Sequence, residues 1–260
     1  MQQSLPKTAK AITMKKQSNL YIFLYSSVMV IIVAALLSLA STTLKPFQQK
    51  NIETEKKLDI LKSVGRASKV GSAPNKHEYV GDEFNTVIIE QLVVNRSGDG
   101  VEGVDPFTVD LKVEFAKAKE NQNLPVFVAK MDDGSKKYIL PLLGRGLWGP
   151  IWGYISLNDD YNTVYGASFA HKGETPGLGA EIANVDFQNQ FKGKQIFKDD
   201  KFVSVSVIKG GAKPDNPYGV DAVSGGTITS QGLEDMIENC LKSYQEFFKK
   251  SKEISHERED

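Results

Sequence analysis

The first apolar pattern in the chain is continuous. Between Lys16 and Lys45 no residue carries a charge, and residues 20–44 are dominated by Ile, Val, Leu, Ala, Phe and Tyr. Roughly 20 apolar residues suffice for one membrane-spanning helix. Lys7, Lys10, Lys15 and Lys16 precede the run with no acidic residue among them, and Lys45 and Lys50 follow it. The positive-inside rule then places residues 1–19 in the cytoplasm and the bulk of the chain outside. A cleaved signal peptide is the alternative, with processing near Leu39-Ala40-Ser41. Its apolar stretch would normally be about 7–15 residues, shorter than this one, so the pattern predicts an uncleaved anchor.

Beyond residue 45 the pattern turns periodic. Ile52, Leu58, Leu61 and Val64 recur among Lys, Glu and Gln, which predicts an amphipathic helix over residues 47–66. Residues 66–85 are rich in Gly, Ser, Lys, Asn and Asp and read as a loop. Strand-like runs follow at 86–94, 107–114, 125–130, 138–143, 151–157, 163–170 and 203–208. Asp132-Asp133-Gly134 marks a hairpin between two of them. A helix is expected over 180–191. A longer one carries Leu233, Met236, Ile237, Cys240, Leu241, Tyr244, Phe247 and Phe248 on one face, with Thr229 or Ser230 as its N-cap. Strands and a few helices without regular βαβ alternation make an α+β domain, its sheet antiparallel or mixed. The expected organisation is a cytoplasmic segment 1–19, a transmembrane helix 20–44, a linker helix and loop 45–85, a folded domain 86–250 and a charged tail 251–260.

Composition narrows the chemistry. The 260 residues carry 32 basic and 32 acidic side chains, a formal net charge of +0 that argues against nucleic-acid binding. Cys240 is the single cysteine, so an internal disulfide and cysteine-clustered metal sites are excluded. It falls on the apolar helix face, as a buried, inert thiol would. His77, His171 and His256 show no metal-ligand spacing, and no metal site is expected. Redox chemistry would therefore need an organic cofactor or a metal supplied by a partner.

Three segments could carry chemistry. In Asp221-Ala222-Val223-Ser224-Gly225-Gly226-Thr227 a threonine hydroxyl follows a Ser-Gly-Gly turn just ahead of the long helix. Two glycines let the backbone approach an anion, and a helix N-terminus offers unpaired N–H groups and a positive dipole end, so the layout suits a phosphate. The same turn would serve equally to cap a helix. Glu174-Thr175-Pro176-Gly177-Leu178-Gly179 makes a shaped loop, either a wall for a flat ligand or a plain strand-to-helix turn. Gly144-Arg145-Gly146-Leu147-Trp148-Gly149 and Trp152 hold both tryptophans. Trp148 could stack on a planar ring, and Trp152 reads as a core residue. A serine nucleophile at Ser224 is disfavoured, because Ser224-Gly225-Gly226 is not a Gly-x-Ser-x-Gly elbow.

Taken in order behind one N-terminal span, Gly-Arg-Gly-Leu-Trp-Gly, Glu-Thr-Pro-Gly-Leu-Gly and Asp-x-x-Ser-Gly-x-Thr resemble the C subunits of the sodium-translocating NADH:quinone oxidoreductases. The G subunit of Rnf electron-transport complexes shares the terminal motif and the anchor. The resemblance implies an extracytoplasmic FMN-binding domain on an inner-membrane anchor. It implies FMN joined through its phosphate to the hydroxyl of Thr227 by a flavin transferase that uses FAD. Asp221, Ser224 and Gly225 would belong to the modification signal, with Gly226 where the family usually has alanine. The ring surroundings would be Trp148, Glu174, Thr175, Leu178, Gly179 and Lys209; a cation such as Lys209 would favour an anionic flavin by Coulomb attraction. The implied partners are subunits of A, B, D, E and F type, within a complex that oxidises NADH, reduces ubiquinone or menaquinone and pumps sodium. This chain would carry single electrons and would not be catalytic alone. It has no Rossmann glycine fingerprint for NADH, and its uncharged span offers no sodium path. A cofactor-free anchored binding or scaffold module is the alternative from a different class.

Overall fold

The structure, a computed structural model, describes residues 19–256. The basic residues Lys7, Lys10, Lys15 and Lys16, and the tail residues 257–260, lie outside the described residues. The chain divides into two compact units, one through Ile52 and one from Glu53 onward.

Helix α1 runs Asn19–Ser63 and includes Pro46. The apolar run and the amphipathic stretch, expected as separate elements, thus fall in one helix. Its apolar stretch is long enough to cross a membrane and is wholly unburied in the structure. At the other end of the helix, in the second unit, Leu58, Ile60 and Leu61 are buried.

The second unit is built on an antiparallel meander of β1 (Ile88–Val94), β2 (Leu124–Lys130), β3 (Lys136–Arg145), β4 (Pro150–Leu157) and β5 (Val164–His171), paired in chain order. Side chains alternate between the two faces of such a sheet, and here both faces are covered. Leu140 and Leu142 of β3, with Ile151 and Ile155 of β4, join Leu233, Met236, Ile237, Cys240 and Leu241 in one core. Phe127, Ile139 and Tyr154 look the other way, into a core with Leu58, Leu61, Val80 and Phe84. The helices of the first core are α5 (Thr227–Ser243) and α6 (Gln245–His256). Short elements fill the connections: α3 (Leu111–Glu114), α4 (Val185–Asn189), a hairpin of β6 (Phe197–Lys198) and β7 (Lys201–Phe202), and a parallel pair of β8 (Ser206–Ile208) and β9 (Gly219–Asp221). The fold is α+β, with an antiparallel main sheet and one parallel pair.

Several local expectations are corrected. Residues 66–85 are not all loop: α2 occupies Lys76–Val87, capped by Asn75, whose side chain accepts from the N–H groups of His77 and Glu78. Val80, Phe84 and Val87 recur on its buried face, a pattern hidden by the polar composition around it. The helix also takes the first two residues of the strand expected at 86–94. No strand forms at 107–114. Pro106–Thr108 is a 3-10 turn, and Asp105 and Asp110 accept from Phe107 N–H and Lys112 N–H, favouring turns over extended backbone. The strand expected at 203–208 shortens to Ser206–Ile208 because Ser204 has φ 61°, outside the β region. The helix expected at 180–191 is interrupted at Asn184, whose extended backbone and capping side chain end a 3-10 turn, Gly179–Ala183, and start α4.

The long helix also differs. It begins at Thr227 with Gly226 as a cap that has no side chain. Thr229 and Ser230 therefore lie inside its first turns, where both are buried. It breaks at Tyr244, whose hydroxyl donates to Pro125 O at 2.9 Å, and α6 then continues to His256, into the segment expected as tail. Cys240 is buried as expected, and burial pushes its thiol up to about 12. Trp152 is only half-buried and is not part of either core.

Helix α5 packs on β3 through a glycine contact: a Cβ at Gly232 would run into the Arg145 carbonyl oxygen. Alanine normally favours a helix interior by about 1 kcal/mol over glycine. Here overpacking, at about 1–3 kcal/mol, outweighs that gain. Gly232→Ala is expected to lower the denaturant midpoint of the domain, and an unchanged or raised midpoint would contradict the packing described.

Candidate functional site

The three segments singled out by sequence meet at the end of the sheet where β3 turns into β4. Residues 146–149 form the β3–β4 turn, closed by a Gly146 N–H donation to Gly149 O at 2.8 Å. The loop after β5 folds back because Leu178 N–H and Ala180 N–H both donate to Thr175 O at 3.1 Å. The third piece is the turn into α5, where Gly226 N–H donates to Val223 O at 3.1 Å. Between them lies a cavity of about 200 Å³, lined by Leu147, Trp148, Glu174, Thr175, Leu178, Gly179, Gly225, Gly226, Thr227, Ile228 and Thr229.

Its chemistry is divided by position. Around the mouth stand large apolar side chains left in solvent: Trp148 is 68% exposed, Ile228 58% and Leu178 41%. These exposed apolar side chains stand together beside the turn into α5. Thr227 is exposed too, at the first position of a 17-residue helix. No side chain at Gly226 accepts from the first-turn N–H groups of α5, so the end keeps its donors and its partial positive charge. Gly225 has φ +72°, and a Cβ there would sit 2.5 Å from Leu178 Cδ2. The positive φ is what favours glycine here, since the Leu178 methyl is the end of an exposed, flexible side chain that can move aside.

Glu174 forms the cavity's polar floor. It is buried, and its Oε1 accepts from Trp148 N–H at 2.9 Å while its Oε2 accepts from the Thr229 hydroxyl at 2.6 Å. Burial pushes the pKa of its carboxyl up. The hydrogen bonds from Thr229, Trp148 and Gly149, and the nearby His171, outweigh that and hold it below its ordinary value of 4.5.

The sequence-selected residues divide into two groups. Trp148, Glu174, Thr175, Leu178, Gly179, Gly225, Gly226 and Thr227 all line the cavity. Asp221, Ser224 and Lys209 do not. Asp221 ends β9 and braces the motif from behind: its Oδ1 accepts from Ala212 N–H at 2.6 Å, and its N–H donates to Gln190 Oε1 at 2.8 Å. Ser224 is exposed and lines a neighbouring hollow with Glu181, Asp186 and Gln190. Lys209 is exposed just past the end of β8 and is absent from the cavity lining. Sequence reasoning missed Leu147, Ile228 and Thr229 as lining residues. Leu147 stood beside Trp148 in the same glycine segment, whereas Thr229 was read as a cap because Ser and Thr are common there. Among the described residues no group of three or more His, Cys, Asp or Glu side chains could hold a metal ion.

A carboxyl whose folded value is depressed adds stability above its unfolded value, and that stability is lost as pH falls through the folded value. For Glu174 the loss therefore occurs below pH 4.5. Thermal melts should show Glu174→Gln less stable than wild type near neutrality, with the gap narrowing as pH drops below 4.5. Melting curves that stay parallel across that range would contradict the depressed value.

Comparison with known proteins places this part of the chain in a known domain family. Residues 146–242 match the model of the FMN-binding domain family, a span holding every residue that lines the cavity. The C subunit of the Na(+)-translocating NADH-quinone reductase of Vibrio anguillarum is 31% identical over 227 residues, covering 81% of this chain and 86% of that protein. Its counterpart in Haemophilus ducreyi is 31% identical over 223 residues, covering 80% and 84%. Among solved structures, the C subunit from Parabacteroides distasonis matches with a TM-score of 0.69 at 43% identity, covering 79% of this chain and 96% of that one. The NqrC of Shewanella oneidensis matches at 0.62 and 30%, covering 76% and 99%. An FMN-binding domain placed behind one long apolar helix, with relatives alike over most of their length, means that this chain belongs to the family of C subunits of the Na(+)-translocating NADH-quinone reductases.

Proposed function

We propose that this chain carries FMN as a phosphoester on the Thr227 hydroxyl and serves as an electron-transfer subunit of a Na(+)-translocating NADH-quinone reductase. The observation that carries the reading is the position of Thr227. It is exposed at the first residue of α5 and lines the same cavity as Trp148 and Leu178. A phosphate ester there would have its charge beside the α5 N-terminus, and Gly225 and Gly226 would let the backbone come close to it. Trp148, Leu147, Leu178 and Ile228 offer apolar surface for a flat ring, and Thr175 a hydroxyl at its edge.

The cavity's size supports a covalent link. Ligand sites commonly enclose about 300–1,000 Å³ and bury most of the ligand. This one is about 200 Å³ with an exposed tryptophan at its mouth. Contacts alone would hold a flavin weakly, and a tether on Thr227 removes the cost of rebinding. Bound FMN supplies the electron-accepting chemistry, while the chain positions it and tunes its environment. Among the residues that line the cavity, Glu174 is the one whose side chain can bear a full charge.

On the same reading, residues 20–44 anchor the chain in the inner membrane with residues 1–19 cytoplasmic, and the folded domain lies on the opposite side. Asp221, Ser224 and Gly225 form the signal for the flavin transferase, Ser224 being exposed on the outer side of the turn. NADH oxidation and sodium movement belong to the other subunits.

Thr227→Ala should abolish flavin fluorescence in the denatured band and remove an FMN-sized increment from the intact mass, with the melting temperature of the flavin-free domain unchanged. Flavin that survives denaturation in that variant would overturn the attachment site. At Gly226 a Cβ would meet Val223 Cγ1 at 3.1 Å and Gly179 N at 3.2 Å, tight but without direct overlap. Gly226→Ala should therefore keep its flavin, and complete loss of labelling would contradict the alignment of the motif.

A further inference from the structure

Glu174 is 4% exposed, and both carboxylate oxygens are committed to protein donors on two other segments. Trp148 N–H, in the β3–β4 turn, donates to Oε1. The Thr229 hydroxyl, one turn inside α5, donates to Oε2. Its own N–H donates to His171 Nδ1 at 3.1 Å, fixing the start of the loop. Room for the carboxylate is made by glycines on either side. A Cβ at Gly146 would lie 2.6 Å from Oε1, and one at Gly179 would lie 2.7 Å from Oε2. All three walls of the cavity therefore converge on one side chain.

We infer that Glu174 is a positioning residue: its buried carboxylate ties the Trp148 turn, the β5 loop and the first turn of α5 into one wall, and its charge opposes the gain of negative charge by a ring in the cavity. The second clause rests on the flavin reading; the first does not.

The physical basis is the strength and placement of the bonds. Hydrogen bonds to an ionised acceptor are about twice as strong as neutral ones. A buried carboxylate is tolerated only while its oxygens are satisfied, so Trp148 N–H and Thr229 cannot drift without exposing it to that cost. The Trp148 side chain is exposed, and what holds this residue at the cavity is its backbone N–H bonded to the carboxylate. Thr229 is two residues beyond Thr227 on the same turn, so the bond that fixes Thr229 also fixes the attachment point. Coulomb energy gives the electrostatic half. A fixed negative charge beside the cavity makes addition of electrons to a neighbouring group less favourable.

Two variants separate shape from charge. Glu174→Gln keeps the outline, an acceptor for Trp148 N–H and, with the Thr229 hydroxyl reversed, a bond to Thr229. Glu174→Ala removes both ties. In the full chain in detergent, amide hydrogen exchange at Trp148 reports local opening of the turn. It should quicken at least tenfold in Glu174→Ala, and about fivefold in Glu174→Gln, the difference between charged and neutral hydrogen bonds. In a redox titration of the flavin, Glu174→Gln should have a more positive midpoint potential than wild type, a readout that looser packing alone would not give in a variant that keeps its shape. If Glu174→Ala does not fold, Glu174→Gln carries both measurements. Unchanged Trp148 exchange would overturn the clamp, and an unchanged potential would overturn the electrostatic role. Exchange can be measured without any flavin, so failure of the flavin reading and failure of this inference are seen separately.

Discussion

The approach of α5 to the end of β3 is the constraint on which the site depends. Gly232 lets the helix backbone meet the Arg145 carbonyl, and a Cβ at Gly144 would lie 2.5 Å from Met236 Cβ. With so little between helix and strand, there are few flexible side chains to absorb a shift. Leu233, Met236, Ile237, Cys240 and Leu241 then lock the helix over the sheet core. Interiors packed this closely behave as rigid bodies, and they transmit displacements instead of damping them. The position of Thr227 is thus set by packing that begins several residues further along the helix.

From that constraint the local features follow in order. A helix held this way must start somewhere, and Gly226 starts it without a side-chain cap, the kind of helix end at which an anion can be bound. Just before it, Gly225 turns the chain through a positive φ against Leu178. One turn inside, Thr229 reaches the buried Glu174, which also holds the Trp148 turn. The result is a shallow, apolar-rimmed cavity with a fixed negative charge at its floor and a helix dipole at one side. Such a surface suits a cofactor that is tethered and must stay accessible to an electron-transfer partner more than one enclosed by the fold.

Much of this was legible in the sequence, because the informative signals were local. The five strands of the main sheet fall at runs expected as strands, with β1 starting two residues late, and the glycine-rich segments that meet at the cavity stood out by their composition. What escaped was decided by capping and by tertiary contact. Asp105, Asp110 and Asn75 reorganise residues around 106–114 and 76–87 by accepting backbone N–H bonds, a small effect that hydrophobic pattern does not register. Thr229 looks like a helix cap in isolation, but its hydroxyl is buried against a carboxylate 55 residues earlier. Lys209, which the resemblance puts near the ring, stands exposed just past β8 and is not among the residues lining the cavity. The role of Glu174 in joining three segments could not be read from any one of them.

Whether the helix start formed by Gly226 presents Thr227 as the cofactor's attachment point is tested most directly by tandem mass spectrometry of proteolytic peptides. The sample is the full chain purified from a host with an active flavin transferase. One FMN-modified peptide is expected, with fragment ions placing the added mass on Thr227. FMN on any other residue, Ser224 and Thr229 included, or an unmodified Thr227 peptide as the dominant species, would contradict that attachment.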